Sequence, residues 1–235
     1  MQVEDRLIVA ADVHRVDDAY VLLDQLRGTV KWVKVGLSLF ALGGPSLVQQ
    51  LVADGWKVFV DLKLHDIPHQ VGLAVANLCE IGASILTVHT GGGLPMMEAA
   101  AKAATTGTQV VGVTVLTSLT HTDLIDIGYP AGVTTTKDVV LARAEAAKKA
   151  GLAGVICSPL DASGMVGFGF DEVITPGIRL AQDDQHDQKR VQSPDQAIRN
   201  GATRLVVGRS ITQAANPAKA AERVLSAIDR ASRDA

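Results

Sequence analysis

The run Phe59–Pro68, FVDLKLHDIP, carries two messages at once. Side chains on a strand alternate between faces, so Val58, Val60, Leu62 and Leu64 share one face and Phe59, Asp61 and Lys63 the other. The first face is uniformly apolar and suits a cover of helices. The second carries opposite charges toward the end of the strand, with Asp66 just beyond it and Pro68 opening the next helix. A buried Asp–Lys pair that merely fills a core is the bland reading. Desolvation can exceed the Coulomb gain of such a pair, so chemistry at an open mouth explains the cluster better.

Working outward, short β-branched runs alternate with longer alanine-rich ones. Strands are expected near Leu7–Val13, Trp32–Leu37, Lys57–Leu64, Ser84–Thr90, Gln109–Leu116, Ala153–Pro159, Glu172–Ile178 and Arg204–Ser210. Helices are expected near Val16–Arg27, Pro45–Asp54, Pro68–Gly82, Gly93–Thr105, Thr136–Ala150, Leu160–Phe168, Pro194–Asn200 and Pro217–Arg233. Repeated strand–helix units imply a parallel sheet. Eight of them in 235 residues favour a closed (β/α)8 TIM barrel over an open doubly wound sheet, with the whole of 1–235 as one domain. Gly55, Gly82, Gly151 and Gly201 fall where helices end and read as left-handed caps.

Hydrophobic residues make up 47% of the chain and aromatics only 3%, so the core must be aliphatic. The net charge of −3, with both signs spread along the chain, is no footprint for nucleic acid. Cys79 and Cys157 have no metal-ligand spacing and read as buried thiols. No signal peptide or membrane span is visible, which makes a cytoplasmic location the default expectation.

Other strand ends add to the mouth. Asp12 follows the first strand, where a helix N-cap is the competing role. Lys34 shares a face with Trp32 and needs a partner inside a barrel. His89 ends the fourth strand, as a mouth residue or a satisfied core histidine. Gly91–Gly93 reads mainly as a turn. Two longer connections, Thr120–Thr135 and Arg179–Val191, follow strands five and seven. The second is polar, and reads either as a mobile lid or as a plain surface loop. TPGIR (Thr175–Arg179) and VVGRS (Val206–Ser210) end strands seven and eight, where barrels often bind phosphate. Amides at Gly208 and Arg209 and the Arg209 guanidinium suit a dianion.

Taken in order, Asp12, KVG at Lys34–Gly36, DLKLHDIP at Asp61–Pro68, VTVLTS at Val113–Ser118, TPGIR, and GRSIT at Gly208–Thr212 resemble the orotidine 5′-monophosphate decarboxylase family through nearly the whole chain. The resemblance implies decarboxylation of orotidine 5′-monophosphate to uridine 5′-monophosphate, no metal or organic cofactor, and a homodimer with shared active sites. No nucleic acid or membrane partner is expected. It implies Lys63 as proton donor to C6, Asp61 beside the reacting carboxylate, Lys34 in the same array, and Asp66 reaching the partner subunit's ribose. Asp12 would bind a ribose hydroxyl, and Thr117 and Ser118 the pyrimidine edge. Gln188 would bridge lid, phosphate and base, with Arg179 at the lid stem, Pro176 binding substrate, and Gly208 and Arg209 on the phosphate. His69 and Gln70 stand where the family usually has Asn-Thr. Two rivals remain. Magnesium-dependent keto-gulonate phosphate decarboxylases and hexulose-phosphate synthases share D-x-K-x-x-D, and a non-catalytic nucleotide-binding barrel would share the fold.

Overall fold

The computed structural model describes residues 1–132, 135–180 and 192–233. Its centre is a closed barrel of eight parallel strands in sequence order. These are β1 (Leu7–Ala10), β2 (Trp32–Gly36), β3 (Lys57–Leu64), β4 (Ile85–His89), β5 (Gln109–Val113), β6 (Gly154–Ile156), β7 (Glu172–Thr175) and β8 (Arg204–Val207). Pairing of Ile8 with Trp32 on one side and with Val206 on the other closes the ring.

Around it lie α1 (Val16–Leu26), α2 (Leu37–Ala53), α3 (Pro68–Glu80), α4 (Leu94–Ala103), α5 (His121–Asp126), α6 (Thr136–Lys149), α7 (Pro194–Arg199), α8 (Arg209–Thr212) and α9 (Pro217–Arg233). Two apolar layers result. Leu7, Val9, Val33, Val35, Val58, Val60, Leu86 and Val88 point outward into the helix layer. Ile8, Ala10, Trp32, Phe59, Ile85, Val111, Val113, Ile156, Ile174 and Val206 fill the barrel. The period of two along each strand thus sorts side chains into two separate cores.

The barrel's lower end is plugged by a buried ion pair. Arg204 grips Glu172 with two bonds of 2.9 Å, and its guanidinium lies 4.1 Å from the centre of the Trp32 ring. Thr203 Oγ1 also donates to Glu172, and Trp32 Nε1 donates to Asp5. Every member has partners, which is what a buried charge requires.

Several elements differ from expectation. Most strands are shorter at their C-terminal ends. Thr114 and Val115 are buried although β5 ends at Val113, and Thr114 N still donates to Ile156 O, so burial outlasts the strand there. Helical turns precede Pro45, with the kink at Gly44 (φ 56°), and the segment Ala162–Phe168 is a 3-10 helix. α5 lies in the first long connection, fixed by a reciprocal cap between Thr120 and Asp123. Gly55, Gly82, Gly151 and Gly201 all have φ between 79° and 100°, the left-handed region that spares glycine a Cβ clash. Gly91 and Gly92 lie in a single 3-10 turn, and Cys79 and Cys157 are both buried.

Candidate active site

A cavity of about 470 Å³ opens at the C-terminal ends of the strands. Its floor is the top of the inner core, Ala10, Phe59, Val113, Ile156 and Val206. Four charged side chains form one wall. Lys34 is 8% exposed, and its Nζ lies 3.0 Å from Asp12 Oδ1 and 3.5 Å from Asp61 Oδ2. Lys63 Nζ donates to Asp61 Oδ1 at 2.9 Å. Carboxylate and ammonium therefore alternate from the exposed Asp12 inward to Lys34 and Asp61 and back out to Lys63. Asp12 does not cap α1, whose N-cap position is Arg15.

Burial pushes the Asp61 carboxyl up, but attraction to Lys34 and Lys63, with hydrogen bonds from Lys63 and Thr87, outweighs it and holds the group below its ordinary range. Asp61 is thus an anion held between two cations. Gly36 is required by this packing, because a Cβ there would stand 2.8 Å from both Asp12 Oδ1 and Lys34 Nζ.

β3 bends where it delivers its charges. Pairing with β4 runs Phe59–Ile85 and Val60–Leu86, then jumps to Leu64–Val88. Lys63 has φ 52°, the one positive φ at a non-glycine among the described residues. Such a conformation costs about 1–3 kcal/mol and persists only when its surroundings enforce it. Bulges of this kind re-aim side chains beside active sites.

Pro176, Gly177, Arg179, Gly208 and Arg209, after β7 and β8, line the same cavity, with Thr117 on the β5 side. Gly177 takes φ 79°. Arg179 N donates to Gln192 O and Gln192 N to Gly177 O, tying the two ends of the second long connection together. Gln188 and the rest of 181–191 lie outside the described residues. Ser118 is exposed and not on the cavity wall. Asp66 is exposed outside the cavity, its carboxylate accepting from Ile67 N, and it lines a separate groove with Leu37, Phe40 and Gln70. His69 and Gln70, at the start of α3, are also exposed. His89 does not line the cavity. Its Nδ1 accepts from Gly91 N, and its ring stacks on His65 at 5.2 Å.

Sequence reasoning did not single out His14, Leu116, Gln213 or Thr87. The first three line the cavity. Only a barrel register could have pointed to them, since none belongs to a charged motif. Among the described residues, no three His, Cys, Asp or Glu side chains converge to suit a metal ion.

Residues 5–224 match the Orotidine 5'-phosphate decarboxylase / HUMPS family. The chain belongs to this family. Within the orotidine 5'-phosphate decarboxylase / HUMPS family it is 46% identical over 232 residues to orotidine 5'-phosphate decarboxylase of Rhodopseudomonas palustris strain HaA2, covering 97% of this chain and 96% of that one. It is 40% identical to the enzyme of the same name from Hydrogenovibrio crunogenus, covering 98% of both. The crystal structure of orotidine 5'-phosphate decarboxylase from Lactobacillus acidophilus superposes with a TM-score of 0.83 at 32% identity, covering 95% of this chain and 98% of that one.

Proposed function

We propose that this chain converts orotidine 5′-monophosphate to uridine 5′-monophosphate and CO2, the final step of de novo UMP biosynthesis, using its own side chains and no cofactor. The observation that carries the reading is the alternating array Asp12–Lys34–Asp61–Lys63 on one wall of a cavity that Arg209 also lines. Loss of CO2 from C6 leaves a carbanion with poor resonance stabilisation, so electrostatics must replace a covalent electron sink. In this reading the Lys63 ammonium stabilises that charge and then delivers a proton to C6. Lys34 and Lys63 keep Asp61 ionised beside the departing carboxylate.

Two like charges 4 Å apart repel by about 4 kcal/mol at an effective dielectric near 20. Enzymes commonly supply about 8–23 kcal/mol. Repulsion by Asp61 therefore leaves the larger share to carbanion stabilisation by Lys63 and to binding at the phosphate end. Asp12 is assigned to a ribose hydroxyl, Thr117 on the cavity wall to the base with Ser118 beside it off the wall, Gly208 and Arg209 to the phosphate, Pro176 to substrate binding, and Arg179 and Gln188 to the lid side.

The chain acts in this reading as one barrel domain in a homodimer with shared sites, Asp66 serving the partner's substrate. The support is that Asp66 stands outside its own cavity, in a groove with exposed Leu37 and next to exposed Ile67. Gln70 takes the place of the usual threonine there, and its amide can both donate and accept. The substrate and a second copy of the chain are the only partners assigned, with no nucleic acid or membrane. No helix among the described residues is long and apolar enough to cross a membrane. Buried Cys79 and Cys157, in no disulfide, fit a reducing, cytoplasmic setting. The magnesium-dependent reading is less well supported, because Asp12 and Asp61 are both engaged by Lys34. A spectrophotometric assay with orotidine 5′-monophosphate decides between them. Turnover indifferent to chelator is expected, and none, or turnover abolished by chelator, overturns the proposal.

A further inference from the structure

We infer that Thr87, which no cavity-facing motif includes, is a positioning residue that clamps Lys63 and Asp61 into their working geometry. The inference rests on the decarboxylation proposed above. Thr87 is 1% exposed, lies on β4 between Ile85 and His89, and does not line the cavity. Its place is set by the bulge. Asp61, Leu62 and Lys63 of β3 lie opposite this single β4 residue, because pairing jumps from Val60–Leu86 to Leu64–Val88. A bulge leaves ladder groups without partners, and buried amides need them.

The Thr87 hydroxyl supplies what the ladder lacks. Its oxygen accepts from Lys63 N at 2.8 Å, and its proton goes to Asp61 Oδ1 at 3.0 Å. The same Asp61 oxygen accepts from Lys63 Nζ at 2.9 Å. A closed ring follows, running from the Lys63 amide through the Thr87 hydroxyl and the Asp61 carboxylate to the Lys63 ammonium. Both ends of one lysine are thereby fixed on one hydroxyl–carboxylate pair. This accounts for how Lys63 is held at φ 52° without being glycine. A hydroxyl is needed, because the position must accept from an amide and donate to a carboxylate at once. Valine matches the shape and does neither.

The test uses the full-length protein as wild type, Thr87→Val and Thr87→Ser. Hydrogen bonds to charged groups imply a fall in kcat of roughly ten- to hundred-fold for Thr87→Val. KM and the Kd of UMP should stay within about threefold, and Thr87→Ser should recover most of kcat. The Lys63 amide, read by hydrogen exchange, should be protected in wild type and exposed in Thr87→Val. Full kcat in Thr87→Val overturns the inference. So does a parallel loss of kcat and UMP binding, or a serine variant no better than valine. An unprotected Lys63 amide in wild type removes the clamp itself. Absence of turnover in wild type instead sinks the proposed reaction and leaves the exchange experiment to judge the clamp.

Discussion

Lys34 passes so close over Gly36 that a methyl group on that glycine would stand 2.8 Å from the ammonium nitrogen. The same methyl would stand 2.8 Å from Asp12 Oδ1. Both neighbours are ends of side chains, so the fold can survive by moving them, and the cost should fall on the charged array. Gly36→Ala is expected to retain a melting temperature within a few degrees of wild type while kcat drops. Misplacement by about 1 Å can cost on the order of a hundred-fold in rate. Steady-state kinetics beside a thermal melt checks the split.

His89 gives a pH-dependent signal. Burial comes first, then repulsion by Arg143, His65 and Lys63, and together they lower it from 6.5 to about 4. A histidine with a depressed folded value stays neutral while the unfolded chain takes up protons. Its contribution is fully present above about 6.5 and is lost as the pH falls through the folded value. The unfolding free energy of wild type should therefore decline between pH 6.5 and 4 more steeply than that of His89→Gln, measured by denaturant titration. Parallel slopes would remove His89 from the acid response.

The barrel floor tests stability apart from chemistry. Arg204→Met strips Glu172 of a two-bond partner at a site 2% exposed. Breaking a buried pair on one side costs about 3–5 kcal/mol. The expected outcome is a loss of that size in denaturant unfolding, with kcat/KM near wild type at temperatures where the protein stays folded.

Asp66 tests the shared site. An Asp66→Asn variant and a Lys63→Ala variant, each inactive alone, should regain activity when mixed and allowed to exchange subunits. With exchange verified, at most about a quarter of wild-type sites can pair an intact Lys63 with an intact Asp66. No recovery would place Asp66 outside the reaction.

Much of the barrel is legible in the sequence because one period governs it. The apolar set Val58, Val60, Leu62 and Leu64 faces outward, and the bounds of β3 match expectation at both ends. The same regularity hides the bulge. Leu62 and Leu64 alternate as an unbroken strand would, so nothing in the letters shows that Lys63 turns to positive φ. Thr87 is equally hidden, because its role exists only once β4 is placed against β3. β5 was expected to reach Leu116. Thr114 and Val115 are buried past its end, with Thr114 N and Oγ1 both donating to Ile156 O, so burial beyond the last paired residue reads as strand. α5 carried a readable cap, Thr120 with Asp123, within a stretch too short and polar to show helical periodicity. Asp12, Lys34, Asp61 and Lys63 were legible as a group because inward charges on neighbouring strands have little else to do.

Turnover of orotidine 5′-monophosphate by Lys63→Ala, measured beside calorimetric binding of UMP, tests the central claim most directly. If the Lys63 ammonium carries the reaction, kcat should fall by more than about 10⁴-fold. UMP should still bind within about tenfold of wild type. A variant that keeps turnover within tenfold of wild type would contradict the assignment.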